Sequence, residues 1–206
     1  MAKVYVVRHA RAGGPDDLRL PGADPALRPE GRWEACALAG RLRSVRPAAV
    51  YASDALRARQ TGGAIAEHCG IPLHALVALR EVDFGAWGGR TFAEIVADDP
   101  SAAVYFEDPT AATPPDGEGV AAAADRVLDV FRSLAGVDRS GIVVVGHAGS
   151  LRLALARALS MPLAAYWRLR LDCAGLSVLA WADDGFVVER LNDVAHLAET
   201  HRDGSA

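Results

Sequence analysis

Lysine is almost absent from this chain: Lys3 is the only one in 206 residues, so nearly all fixed positive charge is arginine. A Gly-Lys-Ser/Thr phosphate loop is excluded, because Val4 follows the only lysine. No Gly-x-Gly-x-x-Gly follows a strand-like run and no His-Glu-x-x-His occurs, which leaves dinucleotide binding and zincin chemistry without support. The three cysteines, Cys36, Cys69 and Cys173, are far apart and form no Cys-x-x-Cys pair. They read as buried, reduced thiols in a cytoplasmic protein rather than as a disulfide framework. Only four consecutive apolar residues precede Arg8, too few for a secretory leader, and no run approaches the length of a membrane span. The net charge of −4 argues against nucleic acid or a membrane surface as partner.

What is present alternates between two periodicities. The runs ending at Arg8, Ser53 and Gly146 read as strands. Helices are expected from Pro29 to about Val45, from Ala55 to Cys69 with Gly70 as its left-handed end, along the stripe Val120–Leu134, and from Gly149 to Leu159. "LVALREVDFGAWGGR" reads as a strand running into a glycine-rich loop, and "GLSVLAWADDGFVVERL" as a hairpin turning at Asp184-Gly185. Between 91 and 119 the periodicity weakens and four prolines intervene, which suggests a partly helical insertion or lid. The expectation is one α/β domain over 1–206. Its central sheet is mainly parallel, with helices on both faces.

In such folds ligands gather beyond the carboxyl ends of the strands, where His9, Ser53 and His147 would fall, with Arg57 in the first turn of the following helix. "GHAGS" has the outline of a nucleophile elbow, but Ala148 stands at the serine position. Two histidines, at least two arginines and a nearby carboxylate remain. A neutral imidazole can attack phosphorus, and arginine forks match the equatorial oxygens of a transferring phosphoryl group. Backbone N–H groups after Ala148 would bind the same oxygens, and a carboxylic acid would protonate the alcohol.

Five stretches in order, "VVRHA", "YASDALRARQT", "LREVDFGAWGGR", "VVVGHAGSLR" and "LNDVAHL", resemble the histidine phosphatase superfamily, the phosphoglycerate mutase-like proteins. Among these the chain is most similar to the short phosphatases, including α-ribazole phosphatase. The resemblance implies a phosphomonoester hydrolase acting through a phosphohistidine, with no cofactor and no metal. His9 would be the nucleophile, Arg8 and Arg57 the phosphate-binding arginines, His147 the second pocket histidine and Glu81 the general acid. Ala148 and Arg11 are further substrate-binding candidates. The partner would be a small phosphomonoester, such as α-ribazole phosphate or a sugar phosphate, and a homodimer is compatible with the reading.

Departures bear on the substrate. Ala10 replaces the usual glycine after Arg-His, Arg11 and Ala12 follow it, and Gly88 stands where a glutamate is common. Asp83 competes with Glu81 for the acid role. Three alternatives stand beside the phosphatase reading: mutase-type phosphoryl transfer, a silent phospho-ligand binder, and a metal hydrolase ligated by His9, His147 and Glu81.

Overall fold

Val4–Val7 and Ile142–Val145 carry no polar residue except the phenol of Tyr5, and the sheet shows why. The computed structural model describes residues 2–13, 19–135, 141–182 and 185–201. In it β1 (Lys3–Arg8) and β4 (Ile142–Gly146) lie side by side at the centre of a six-stranded sheet, parallel, with Val4 opposite Ile142 and Arg8 opposite Gly146. Alternate residues face opposite cores. Val4, Val6 and Val144 join one cluster, whereas Tyr5, Val7, Val143 and Val145 join the other. A strand covered on both faces needs apolar residues at every position.

The strand order is β3-β2-β4-β1-β5-β6. β2 (Ala49–Ser53) pairs in parallel with β4 and with β3 (Leu73–Leu76), while β5 (Leu176–Ala182) and β6 (Gly185–Asp193) add an antiparallel edge. The mainly parallel sheet is therefore as expected, with one antiparallel flank. Of the expected hairpin turn, Asp184 lies outside the described residues.

Helices α1 (Pro29–Arg43) and α2 (Leu56–Cys69) cover one face, where Leu38, Leu42 and Ile65 are fully buried. Pro29 opens α1, and Gly70 closes α2 at φ +67°. The insertion folds as α3 (Phe92–Asp98) and α4 (Ser101–Glu107), the first started by a reciprocal Thr91–Glu94 capping box. Helices α5 (Val120–Ala135) and α6 (Ala148–Ala158) cover the other face.

The strand expected within "LVALRE" lies earlier. β3 ends at Leu76, and Val77–Leu79 is a 3₁₀ turn. β3 is an exposed edge strand and so lacks an apolar signature, whereas Leu79 and Val82 look strand-like because the loop carrying them drops into the core. The cysteines are free as expected, but Cys36 is exposed and the other two are half-buried. Among the described residues no helix is long and apolar enough to cross a membrane.

This connectivity places a crevice. After β1 the chain leaves toward α1 on one face, and after β4 it leaves toward α6 on the other. The two exits diverge at adjacent strand ends, where ligands of open α/β sheets bind. There the His9 N–H donates to the Gly146 carbonyl at 2.9 Å.

Candidate active site

His9 and His147 end the two central strands, and their rings meet edge to face with centroids 5.1 Å apart. The His9 ring is oriented from behind. Its Nδ1 lies 2.8 Å from the Ala10 carbonyl, which can only accept, so the proton sits on Nδ1 and the lone pair on Nε2. Arg57 Nε donates to that lone pair at 3.3 Å. Burial, reinforced by Arg57 and Arg8, pushes the His9 pKa down to about 3, against the pull of the Ala10 hydrogen bond. The ring is neutral throughout the physiological range.

His147 is only 1% exposed. Burial, then the neighbouring His9, Arg57 and Arg8, lowers its pKa to about 2. Its Nε2 lies 2.9 Å from the Ser53 hydroxyl, which also accepts from the Ala55 N–H at 3.3 Å. A neutral ring that takes Ser53's proton at Nε2 carries its own on Nδ1. That Nδ1 is buried and has no hydrogen-bond partner among the described residues, the condition a phosphate oxygen would satisfy.

The arginines are anchored by contacts the sequence did not disclose. Arg57 Nη1 donates to the Ala23 carbonyl at 3.3 Å and to Asp24 at 3.2 Å. Asp24 also accepts the Leu56 N–H at 2.8 Å, so one carboxylate caps α2 and steadies the guanidinium on that helix. Arg8 reaches the Leu171 carbonyl through Nη1 at 2.8 Å, leaving its buried Nε unpartnered among the described residues. Thr61, fully buried, accepts the Ala10 N–H at 3.0 Å and holds the loop beside the nucleophile.

Glu81 differs from expectation in its surroundings. Its Oε1 accepts the N–H groups of Val82 at 3.0 Å and Ser150 at 2.7 Å, and its Oε2 accepts that of Gly149 at 3.0 Å. Backbone donors of α6 expected to hold phosphate are thus engaged by a carboxylate, which suits the positive end of the helix. Gly149 makes room, since a Cβ there would lie 2.7 Å from Oε1. Buried Tyr105 and Tyr166 and half-buried Arg152 are close enough to feel the Glu81 charge; desolvation raises Tyr105 to about 12, raises Tyr166 and lowers Arg152.

Two adjoining cavities meet at this cluster. One, of about 560 Å³, is lined by Arg8, His9, Arg57, Glu81 and Ala148. The other, of about 740 Å³, shares Arg57 and Glu81 and adds His147. Five of the expected residues therefore line the first cavity, and His147 lines the second. Asp83 lines only the larger, exposed, accepting the Gly85 N–H at 2.9 Å. Arg11 is not brought to His9. Its N–H and its Nε bond to buried Glu34 at 2.8 and 3.3 Å, and it lines another cavity with Arg170 and Asp172, one that shares Arg8 but neither histidine.

The departures around the loop have physical reasons. Ala10 is fully buried in the apolar cluster beneath α1 and α2, and its φ is not positive, so the backbone requires no glycine there. Gly88 packs against the backbone of residues 21 and 22, and Gly22 in turn lies so close to Gly88 and Gly89 that a Cβ would meet backbone at 2.4 Å. Glycine at both positions lets the two loops touch at the cavity rim.

Sequence reasoning placed Ser53 at the strand end but gave it no role, and it missed Thr61, which lies within a recognisable stretch, and Asp24, which nothing in the sequence marks. No cluster of three or more His, Cys, Asp or Glu is placed to hold a metal among the described residues. The polar atoms of His9 and Glu81, and Nε2 of His147, are instead committed to the backbone, Arg57 and Ser53, which among the described residues leaves His147 Nδ1 as the one open ring nitrogen of the pair.

The family model for the histidine phosphatase superfamily (branch 1) matches residues 4–194. The chain is 32% identical to the probable phosphoglycerate mutase GpmB of Erwinia tasmaniensis, over 98% of each chain. It is 32% identical to the adenosylcobalamin/alpha-ribazole phosphatase of Salmonella typhimurium, over 82% of this chain and 86% of that protein. Among solved structures, YhfR of Bacillus stearothermophilus superposes with a TM-score of 0.88 at 27% identity, covering 96% of this chain and all of the other.

Proposed function

The chain belongs to branch 1 of the histidine phosphatase superfamily and is a phosphatase; from that premise we propose that it hydrolyses a small phosphomonoester through a phosphohistidine on His9. One observation carries this reading: the His9 ring is neutral, its Nδ1 proton is tied to Ala10, and its Nε2 lone pair faces Arg57 beside a second neutral imidazole. Nε2 attacks phosphorus while Arg8, Arg57 and the His147 Nδ1–H take the charge on the equatorial oxygens. The P–O bond to the alcohol breaks, and Glu81, at the junction of the cavities, supplies the proton that the alkoxide needs. Water then cleaves the P–N bond, releasing phosphate and restoring His9.

The arginines provide the positive charge that a metal would otherwise supply, so the proposed reaction needs none. Mutase-type transfer is the second reading, favoured by the similarity to GpmB. In it the phosphoryl group passes to a second alcohol instead of water.

Acid-quenched reaction with a labelled phosphomonoester should trap an acid-labile, base-stable adduct that is absent in His9→Ala and survives EDTA treatment. An adduct that persists in His9→Ala, or one that is acid-stable, would overturn the assignment.

A further inference from the structure

If the chain is the hydrolase described above, the alcohol half of the substrate lies on the far side of Glu81, in the larger cavity. The charge on that wall is already arranged. Arg80 Nε and Nη2 donate to the two oxygens of Asp54 at 2.7 and 2.6 Å. Arg126 Nε and Nη2 grip both oxygens of Glu118 at 2.8 and 2.6 Å, and its Nη1 donates to the carbonyls of Ala78 and Arg80. Arg57 faces Asp24 and His9. With Glu81 and Asp83, five carboxylates and three guanidiniums line the space, and no guanidinium lacks a carboxylate partner.

A substrate bringing a second anion would meet this surplus of negative charge. Drawing Arg80 or Arg126 onto itself would strip Asp54 or Glu118 of its partner and leave a like charge beside the newcomer. Hydroxyl groups do neither. They donate to the remaining lone pairs of the carboxylates with both ion pairs intact. Val77, Val82 and Ala122 offer the apolar contact that the C–H faces of a sugar or nucleoside want.

We infer that the Asp54–Arg80 and Glu118–Arg126 pairs are a specificity element, admitting a bulky uncharged polyol as the leaving alcohol and rejecting one that carries a carboxylate or second phosphate. The inference rests on the hydrolase reading but can fail without it.

The test uses kcat/KM on matched substrates, glucose 6-phosphate against 6-phosphogluconate and glycerol 3-phosphate against 3-phosphoglycerate, with p-nitrophenyl phosphate as reference. The uncharged member of each pair should be preferred by about tenfold or more. Asp54→Asn leaves Arg80 uncompensated and should move that ratio toward the anion by about tenfold, and adding Arg80→Gln should restore it. Glu118→Gln provides the parallel measurement at the second pair. Because each ratio is read on one preparation, partial misfolding of a variant cancels.

Equal or faster turnover of the anionic member by a protein that hydrolyses p-nitrophenyl phosphate would overturn the specificity and leave the hydrolase standing. So would ratios that neither variant moves, or phosphoethanolamine surpassing every uncharged substrate. No turnover of any monoester, p-nitrophenyl phosphate included, would instead remove the hydrolase reading.

Discussion

Replacing Glu81 with glutamine separates the structural role of one carboxylate from the acid role proposed for it. The native group accepts three backbone N–H bonds, two on Oε1 and one on Oε2. Glutamine has one accepting oxygen. With it in the Oε1 place, Val82 and Ser150 remain bonded, but the amide NH₂ then confronts the Gly149 N–H, donor against donor. One partly buried donor is left unmade, worth about 1–3 kcal/mol, and the charge at the helix N-terminus is lost as well, worth about 0.3–1 kcal/mol. For a chain of this length the two losses together lower the melting temperature by about 3–16 °C. The chemical consequence is separate. Glutamine cannot deliver a carboxylic proton, so single-turnover hydrolysis of an alkyl phosphate should fall by about 10²–10⁴-fold. The loss on p-nitrophenyl phosphate should be much smaller, since nitrophenolate leaves unaided. Gly149→Ala is the converse perturbation, leaving the carboxyl in place chemically but pushing it from its seat, and should show the same split between substrates. Equal losses on both substrates would refute the acid role and move attention to Asp83, the other carboxylate of this loop that lines the larger cavity.

Two more expectations follow from the buried imidazoles. Both are held well below the ordinary histidine value of about 6.5, so the unfolded chain binds protons that the folded one refuses, and stability must fall as pH drops from about 6.5 toward 3. The pair is worth about 4 kcal/mol between pH 6 and 4.5, read from urea midpoints, and His147→Asn should remove about half of that slope; an unchanged slope would contradict the assignment. Ser53→Ala removes the only described partner of His147 Nε2, so the ¹⁵N shifts of that ring should lose their single Nδ1–H pattern and KM should rise more than kcat falls; an unaltered ring spectrum would mean that Ser53 does not set the tautomer.

The strands ending at His9 and His147, the caps at Pro29 and Gly70, and the order of the five stretches are all written locally. A strand buried on both faces must be apolar at each position, and a left-handed helix end favours glycine, so these features leave marks within a few residues. The crevice too was legible, because alternating strands and helices dictate where the chain reverses. Tertiary structure decided what the side chains do there. Arg11 stands two residues from His9, yet Glu34 on α1 turns it away. Asp24, in a loop with no periodicity, arrives at Arg57, thirty-three residues later, and Glu81 crosses sixty-eight residues to the first turn of α6. The Asp54–Arg80 and Glu118–Arg126 pairings likewise depend on which loops face one another across the cavity. Sequence patterns report whether a residue is buried, since burial repeats with the period of its element. Pairing across space has no period, and the low pKa values of the two histidines exist only once the sheet, α1, α2 and α6 have closed around them and excluded water.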